Sequence, residues 1–265
     1  MNVLITGAAS GIGAAAADLF IKNGHTVYAL DRAPIAEREG LFSFVCDVTD
    51  EGALEVAFSH LCERGIALDA ILLVAGIHRM ASLVEGESDT LRRVIDVNLL
   101  GAMLTVRAFH PLLSGKGRIV IVTSEVASLD PLPFNGLYSL SKTALDAYAQ
   151  ALRQELGLLG QTVVTVRPGA IGTPLCDASL VDTEHLADTT KLYRAQAHRF
   201  LALTKRFMGT PIPPERLAPL LYRATVKKHP RIVYHKHRSL GLVLLGVLPL
   251  RLQCAIIRLL LGRKR

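Results

Sequence analysis

The chain has 265 residues, half of them apolar, and a formal net charge of +7. That length and composition suit one sizeable α/β domain and exclude extended disorder. The lack of Trp and scarcity of aromatic residues argue against a base-stacking platform for single-stranded nucleic acid. The charge is unevenly placed: no acidic residue follows Glu215, yet twelve basic ones do, leaving 18 basic against 23 acidic residues in the body. A basic tail suits an anionic partner surface, and no duplex-reading module accompanies it, so no nucleic acid is expected. Four scattered cysteines without a CxxC pair point to a reduced compartment rather than a disulfide framework or a zinc site, and no metal is expected. Met1 runs straight into the short apolar Val3–Ile5 segment rather than a secretory signal, so the expected location is cytoplasmic, with attachment to a membrane periphery left open.

In chain order, apolar strands alternate with helices, the pattern of a doubly wound parallel sheet. Val3–Thr6 reads as a strand, Gly11–Asn23 as a helix stopped by Gly24, and Thr26–Leu30 and Phe42–Cys46 as the next strands. A helix near Glu51–Glu63 and a strand Asp69–Val74 follow, then one long helix over Thr90–Leu112. Arg118–Thr123 and Thr162–Val166 are strands, separated by a long helix Tyr138–Leu158. Beyond Thr173 the alternation fades into irregular helix up to Pro214, a helix Arg216–Lys227, a last strand Arg231–Tyr234 and an apolar stretch Leu240–Leu261. The simplest division is one domain, 1–238, and a C-terminal helical extension, 239–265.

The string Thr6-Gly7-Ala8-Ala9-Ser10-Gly11-Ile12-Gly13 lies between the first strand and the first helix. Glycines there permit a tight turn and close backbone approach to a pyrophosphate, which the helix N-terminus attracts. Asp31 follows eighteen residues after Gly13, at the end of the second strand, where a carboxylate binds the adenosine ribose and repels a 2′-phosphate. This favours NAD over NADP. Arg32 is the complication: it reads either as a solvated surface charge or as a partner for that phosphate.

Tyr138 and Lys142 stand four apart on one helix and so share a face. A lysine cation near a tyrosine favours the phenolate and is expected to lower its pKa. Together with the glycine string, Tyr138-Ser139-Leu140-Ser141-Lys142 resembles the short-chain dehydrogenase/reductase superfamily, in its Tyr-xxx-Lys branch, over roughly residues 1–235. The resemblance implies an oxidoreductase with Ser124, Tyr138 and Lys142 catalytic. Tyr138 would exchange a proton with the substrate oxygen, and Lys142 would also bind the nicotinamide ribose. Asn98 would hold a water relay to the lysine. It further implies cofactor contacts from Gly7, Ser10, Gly11, Ile12, Gly13, Asp31, Asp47, Val48, Ala75, Gly76, Pro168, Gly169, Ile171 and Thr173. A homodimer or homotetramer is implied through the long helices.

Two features depart from the family. Its Asn-Asn-Ala-Gly stretch reads Leu73-Val74-Ala75-Gly76 here, so polar support of that loop is missing from the motif, and the Ser124–Tyr138 interval is slightly long. His78, just past this stretch, reads either as a residue facing the pocket or, more simply, as a loop histidine in water.

Residues 174–214 are expected to form a lid, with apolar material such as Leu175, Leu180, Leu186, Phe200, Phe207 and Met208. Such a lid suits an apolar alcohol or ketone, steroid-, retinoid- or lipid-like, as in hydroxysteroid- and retinol-type family members. In the tail, Arg251, Arg258 and Arg265 recur every seven residues on an apolar helix. Two short runs broken by Pro249 fall short of a membrane span. An interfacial helix pair on an anionic membrane surface and a pair packed on the protein are both open readings. The expected function is hydride transfer between NAD(H) and a secondary alcohol or ketone. The alternatives are an NADP-dependent ketone or 3-oxoacyl thioester reductase and a catalytically silent, membrane-attached NAD-binding scaffold.

Overall fold

A computed structural model of the protein describes residues 1–207 and 210–262; Met208, the Phe207 side chain and residues 263–265, Arg265 among them, lie outside the described residues. The strands are β1 (Asn2–Thr6), β2 (Thr26–Asp31), β3 (Leu41–Val45), β4 (Leu68–Leu73), β5 (Leu113–Val122), β6 (Thr162–Pro168) and β7 (Val233–Lys236). All pair in parallel, in the order β3-β2-β1-β4-β5-β6-β7.

Alternate side chains of one strand serve opposite faces, so a sheet covered on both sides needs continuous apolar strands. In β1, Val3 and Ile5 join a core with α1 (Gly11–Lys22) and α8 (Ala218–Val226). Leu4 joins the other core, with α2 (Glu51–Glu63), α4 (Gly101–Phe109) and α5 (Gly136–Leu158). Strand order reverses between β1 and β4, which opens a crevice at their carboxyl ends.

The expected single helix over Thr90–Leu112 is broken. It comprises α3 (Ser88–Ile95), a π-helical turn over Asp96–Leu100, α4, and a short 3-10 turn at His110–Leu112. The wider turn holds Asn98 fully buried, and Gly101 packs so closely that a Cβ there would lie 2.5 Å from Val48 Cγ2. Apolar periodicity alone does not register one extra residue in a turn. β7 begins two residues later than expected, because Arg231 N–H donates to the Tyr234 hydroxyl and holds a turn there.

After β6 the chain forms α6 (Pro174–Thr189) and α7 (Arg194–Phe207). Their apolar residues Leu186, Ala187, Ala197 and Phe200 make a third core with Phe134 and with Leu261 of the tail. The tail itself is α9 (Leu240–Gly246) and α10 (Leu250–Leu261), split at Pro249. No helix among the described residues is long and apolar enough to cross a membrane.

Candidate active site

The glycine loop leaves β1 at Thr6, and each glycine answers a different demand. Gly7 has φ +68°, and a Cβ on it would meet Ala75 Cα at 2.7 Å. A Cβ on Gly13 would sit 2.0 Å from the Gly7 carbonyl oxygen, so only glycine lets α1 start this close to its own loop. Gly11 (φ +53°) abuts the Thr173 side chain, which brings the loop after β6 onto the loop after β1. Ser10 takes the N-cap position of α1 without a side-chain bond to the helix, and Ile12 packs against the core. A backbone cradle at the N-terminus of a helix, kept clear of side chains, fits a pyrophosphate.

Asp31 ends β2 and spans this loop. Its Oδ2 accepts Ala9 N–H at 2.9 Å and its Oδ1 accepts Ala33 N–H at 3.0 Å. Arg32 points into solvent. Asp47 accepts from Arg93 (2.6 Å) and from the backbone and hydroxyl of Thr49. Burial would raise its pKa, but these bonds and the Arg93 charge hold it at about 2. Val48 is buried against Gly101.

The missing asparagines after β4 are replaced from another strand. The Thr6 hydroxyl accepts both Val74 N–H (3.1 Å) and Ala75 N–H (3.2 Å). Support for Ala75 and Gly76 thus crosses the switch point and does not depend on residues 73 and 74. Thr6 belongs to the glycine string, yet nothing in the string reveals that role.

Asn98 and Lys142 converge at Gly76. A Cβ there would lie 3.1 Å from Asn98 Oδ1 and 3.4 Å from Lys142 Nζ. The Asn98 carboxamide accepts Ile77 N–H (2.7 Å), donates to Ile77 O (2.9 Å) and donates to Ser141 Oγ (2.9 Å). Ser141 in turn donates to the Tyr138 carbonyl. Asn98 therefore ties the β4 loop to α5 at the turn that carries Tyr138 and Lys142.

Ser124, two residues past β5, is buried, caps a 3-10 turn (Glu125–Ser128), and lies close enough to Tyr138 to lower its pKa. Lys142 Nζ lies 5.9 Å from the Tyr138 ring centroid and donates to Val122 O at 3.2 Å. Burial dominates both titrations. It pushes Lys142 down to about 8 and Tyr138 up to about 12, the latter against the opposing effect of Ser124. The expected lowering of Tyr138 by the lysine is not among the effects acting on the phenol here: removing a phenolate from water raises it, and only Ser124 opposes that rise.

The loop after β6 closes the edge. Gly169 N–H donates to Lys236 O at 2.8 Å, and a Cβ on Gly169 would sit 1.9 Å from His237 O. Pro168 ends β6; Ile171 is buried and pairs with Ile212, which bonds Gly172 and Ala170. The Thr173 hydroxyl accepts Cys176 N–H and caps α6.

Two further side chains lie beside the candidate catalytic group: His78, which the sequence left between pocket and water, and Glu125, which it did not single out. His78 is not in water: it is buried edge-on against Tyr138, ring centroids 4.2 Å apart. Glu125, next to Ser124, is buried and accepts Ser239 N–H at 2.7 Å, tethering the tail to the catalytic loop. A lone His or Glu in a loop carries no spacing signal that announces such a position.

Fold and site define a class: an oxidoreductase that works on alcohol or ketone groups with a nicotinamide dinucleotide. The chain belongs to the short chain dehydrogenase family, whose model matches residues 1–183. It is 32% identical over 215 residues to the 3-amino-tetrahydro-pyrrolizinone reductase of Xenorhabdus hominickii, covering 76% of this chain and 73% of that protein. The fold also matches the 3-ketoacyl-(acyl-carrier-protein) reductase of Brucella melitensis complexed with NADH (TM-score 0.72, 22% identity, 88% of this chain and 95% of that one). A short chain dehydrogenase of Burkholderia cenocepacia J2315 in complex with NADP matches as well (TM-score 0.74, 20% identity, 99% of this chain and 98% of that one). One of these holds NADH and the other NADP, so the shared fold does not choose between the cofactors.

Proposed function

We propose that this protein transfers a hydride between NAD(H) and a secondary alcohol or ketone on a largely apolar molecule. The observation that carries the reading is the convergence of Ser124, Tyr138 and Lys142 beside the glycine cradle at the sheet's switch point. The bound nicotinamide supplies or accepts the hydride, and the chain's own residues manage the proton and the geometry.

Ser124 acts on the Tyr138 phenol and holds its pKa down, and the two together receive the substrate oxygen. A phenol held at about 12 keeps its proton at neutral pH, so Tyr138 is set to give that proton to a ketone oxygen. Lys142 sits under the ring and offers its N–H groups towards the ribose beside Gly76. Asn98 and Ser141 are positioning residues that fix this turn of α5. Gly7, Ser10, Gly11, Ile12 and Gly13 hold the pyrophosphate, Asp47 and Val48 flank the adenine, and Ile171 and Thr173 meet the carboxamide. Leu175 and Leu180 of α6 are half-buried outside the third core, which supports an apolar substrate face.

Asp31 supports NAD, since its carboxylate is fixed between the glycine loop and the end of β2. Titration with NADH and NADPH, followed by nicotinamide fluorescence, tests this. Tighter NADH binding is expected. Tighter NADPH binding would transfer selection to Arg32 and favour the NADP-dependent ketone or thioester reductase. Binding of neither would overturn the reading and remove the NAD-binding scaffold with it, while NADH binding without turnover of any alcohol or ketone would favour the silent scaffold.

The tail, 239–265, is proposed to rest on an anionic lipid surface. One side of α9–α10 docks on the body, while Leu240, Leu244, Val247, Leu250 and Leu259 are exposed alongside exposed Arg251 and Arg258. Apolar side chains flanked by cations complement a headgroup layer. Co-sedimentation with phosphatidylserine-containing but not pure phosphatidylcholine vesicles is expected, and Leu244→Asp with Leu259→Asp should abolish it. Persistence of a dimer through the same face on size exclusion, with no vesicle binding, would assign the face to a second copy instead. Homo-oligomerisation through the long helices draws support from exposed Met103, Leu140 and Leu158.

A further inference from the structure

His78 holds an unused, buried nitrogen on a ring packed against Tyr138. Its Nε2 lies 2.8 Å from Asn135 Oδ1, and a carboxamide oxygen only accepts, so Nε2 carries the proton. Burial lowers the pKa of the ring and keeps it neutral. Nδ1 is then a bare lone pair, and it is buried without a hydrogen-bond partner. An unpaired polar atom in such a place is costly unless a ligand completes it.

The surroundings say where that ligand lies. The ring stands edge-on to Tyr138 at 4.2 Å, and Asn135 is the residue that opens α5 three positions before Tyr138. Asp182 of α6, Arg79 and Lys142 all act on the charge of His78, so the ring sits between the catalytic pair and the lid. Asp182 Oδ2 is likewise buried without a hydrogen bond, its Arg79 contact being a looser ion pair at 3.5 Å. Ordinary core histidines use both nitrogens; this one uses one and leaves the other unpaired on a ring packed against Tyr138.

We propose that His78 Nδ1 recognises the substrate, accepting a hydrogen bond from a second donor, a hydroxyl or an N–H, close to the carbon that is oxidised or reduced. The substrate class is then a ketone or alcohol with a neighbouring O–H or N–H on an otherwise apolar frame. This rests on the reaction proposed above and deepens it.

Two measurements test it. The first compares cyclohexanone with 2-hydroxycyclohexanone as NADH-dependent substrates of the wild type and of His78→Phe, which keeps a ring against Tyr138 but has no acceptor. The wild type should favour the hydroxyketone in kcat/KM, and His78→Phe should cut that preference by about tenfold or more. A preference unmoved within twofold would overturn the proposal, because a purely structural role changes both substrates alike. The second labels the histidines with ¹⁵N and follows Nδ1 and Nε2 of His78 by NMR, with His78→Phe providing the assignment. Nε2 should be protonated and Nδ1 bare, with Nδ1 shifting on addition of 2-hydroxycyclohexanone but not cyclohexanone. A protonated Nδ1, or one indifferent to the hydroxyketone, would sink the idea. Failure of the wild type to reduce either ketone would count against the reaction assigned to the site, while the NMR result still decides the role of His78.

Discussion

The two ends of the candidate site are built by different means. On the β1–β4 side, backbone meets backbone: Gly7 lies on Ala75, Gly13 on the Gly7 carbonyl, and the Thr6 hydroxyl collects two loop amides. On the lid and tail side, side chains reach across gaps. Glu85 accepts Lys191 and Leu192 N–H, Gln253 donates to Asp130, and Arg199 donates to the Leu261 carbonyl. Close backbone approach admits only glycine, so it leaves a mark in the sequence. Side-chain tethers accept many residue types at many spacings and leave none. The cofactor end is therefore expected to respond to mutation as a rigid unit, and the lid and tail as separable attachments.

The proposed catalytic group, Ser124, Tyr138 and Lys142, lies between these regions and should show the largest effect. Tyr138→Phe keeps the ring against His78 and removes the proton donor. Turnover is expected to fall by on the order of 10²–10⁴-fold or more while NADH binding persists. Steady-state kinetics with a fluorescence titration check both halves. Turnover within a few-fold of wild type would remove Tyr138 from the chemistry.

Lys142→Met probes the cost of burying a cation there. The unfolded chain keeps the ammonium up to about 10.5 and the folded chain only to about 8. Between those values the unfolded state holds more protons, so wild-type stability rises with pH across that window. At pH 7 both states are charged and the fold bears the full cost, roughly 3 kcal/mol at about 1.4 kcal/mol per pH unit. Lys142→Met should be inactive yet more stable than wild type at pH 7, with the advantage shrinking as pH passes from about 8 to about 10.5. The lost bond to Val122 O trims the gain. Urea melts at pH 7 and pH 10 measure it, and a variant less stable at pH 7 would show that the fold satisfies the charge.

Gly13→Ala attacks the backbone-built end. Its Cβ would meet the Gly7 carbonyl at 2.0 Å, and neither atom is the tip of a flexible chain. Roughly 1–3 kcal/mol of stability should be lost, as for an overpacked core, and NADH affinity with it. Unchanged affinity would mean that the cradle is not where the cofactor binds.

The same contrast explains what the sequence made legible. Parallel strands buried on both faces are apolar runs, so the strands from Val3 to Val166 were placed within a few residues except β5, which starts at Leu113, five residues before the expected Arg118, because its first part, with Ser114, Gly115, Lys116 and Gly117, is not an apolar run; the strand near Tyr234 was placed with a shifted start. The glycine string, Asp31, Tyr138 and Lys142 stood out by their spacing and Ser124 by the family resemblance, and the structure gathers them at the carboxyl ends of the strands. The π-helical turn was not, since apolar residues on either side of Asn98 keep a helical rhythm. Glu125 was not, and His78 only as an open choice between pocket and water, because burial of a single polar loop residue is decided by distant segments, here α5 and the tail. The apolar lid was legible as apolar, but much of it packs with Phe134 and Leu261 in a core of its own.

The smallest expected effect sharpens the contrast most. Gln253 of α10 is buried and donates both to Asp130 Oδ2 (2.7 Å) and to Leu248 O (2.8 Å), joining the tail to the segment beyond the catalytic loop. Gln253→Ala deletes a bond to a carboxylate and leaves Leu248 O without its partner, a loss of about 1–3 kcal/mol. If the tail is a separable attachment, that loss is local. Amide exchange should quicken in α9 and α10 and in Leu129–Asp130, while β1, β4 and the start of α1 keep their protection. Hydrogen exchange read segment by segment distinguishes this from a uniform rise in every element. A uniform rise would make the tail part of the same cooperative unit as the sheet, and residues 239–262 would then belong to the domain rather than extend it.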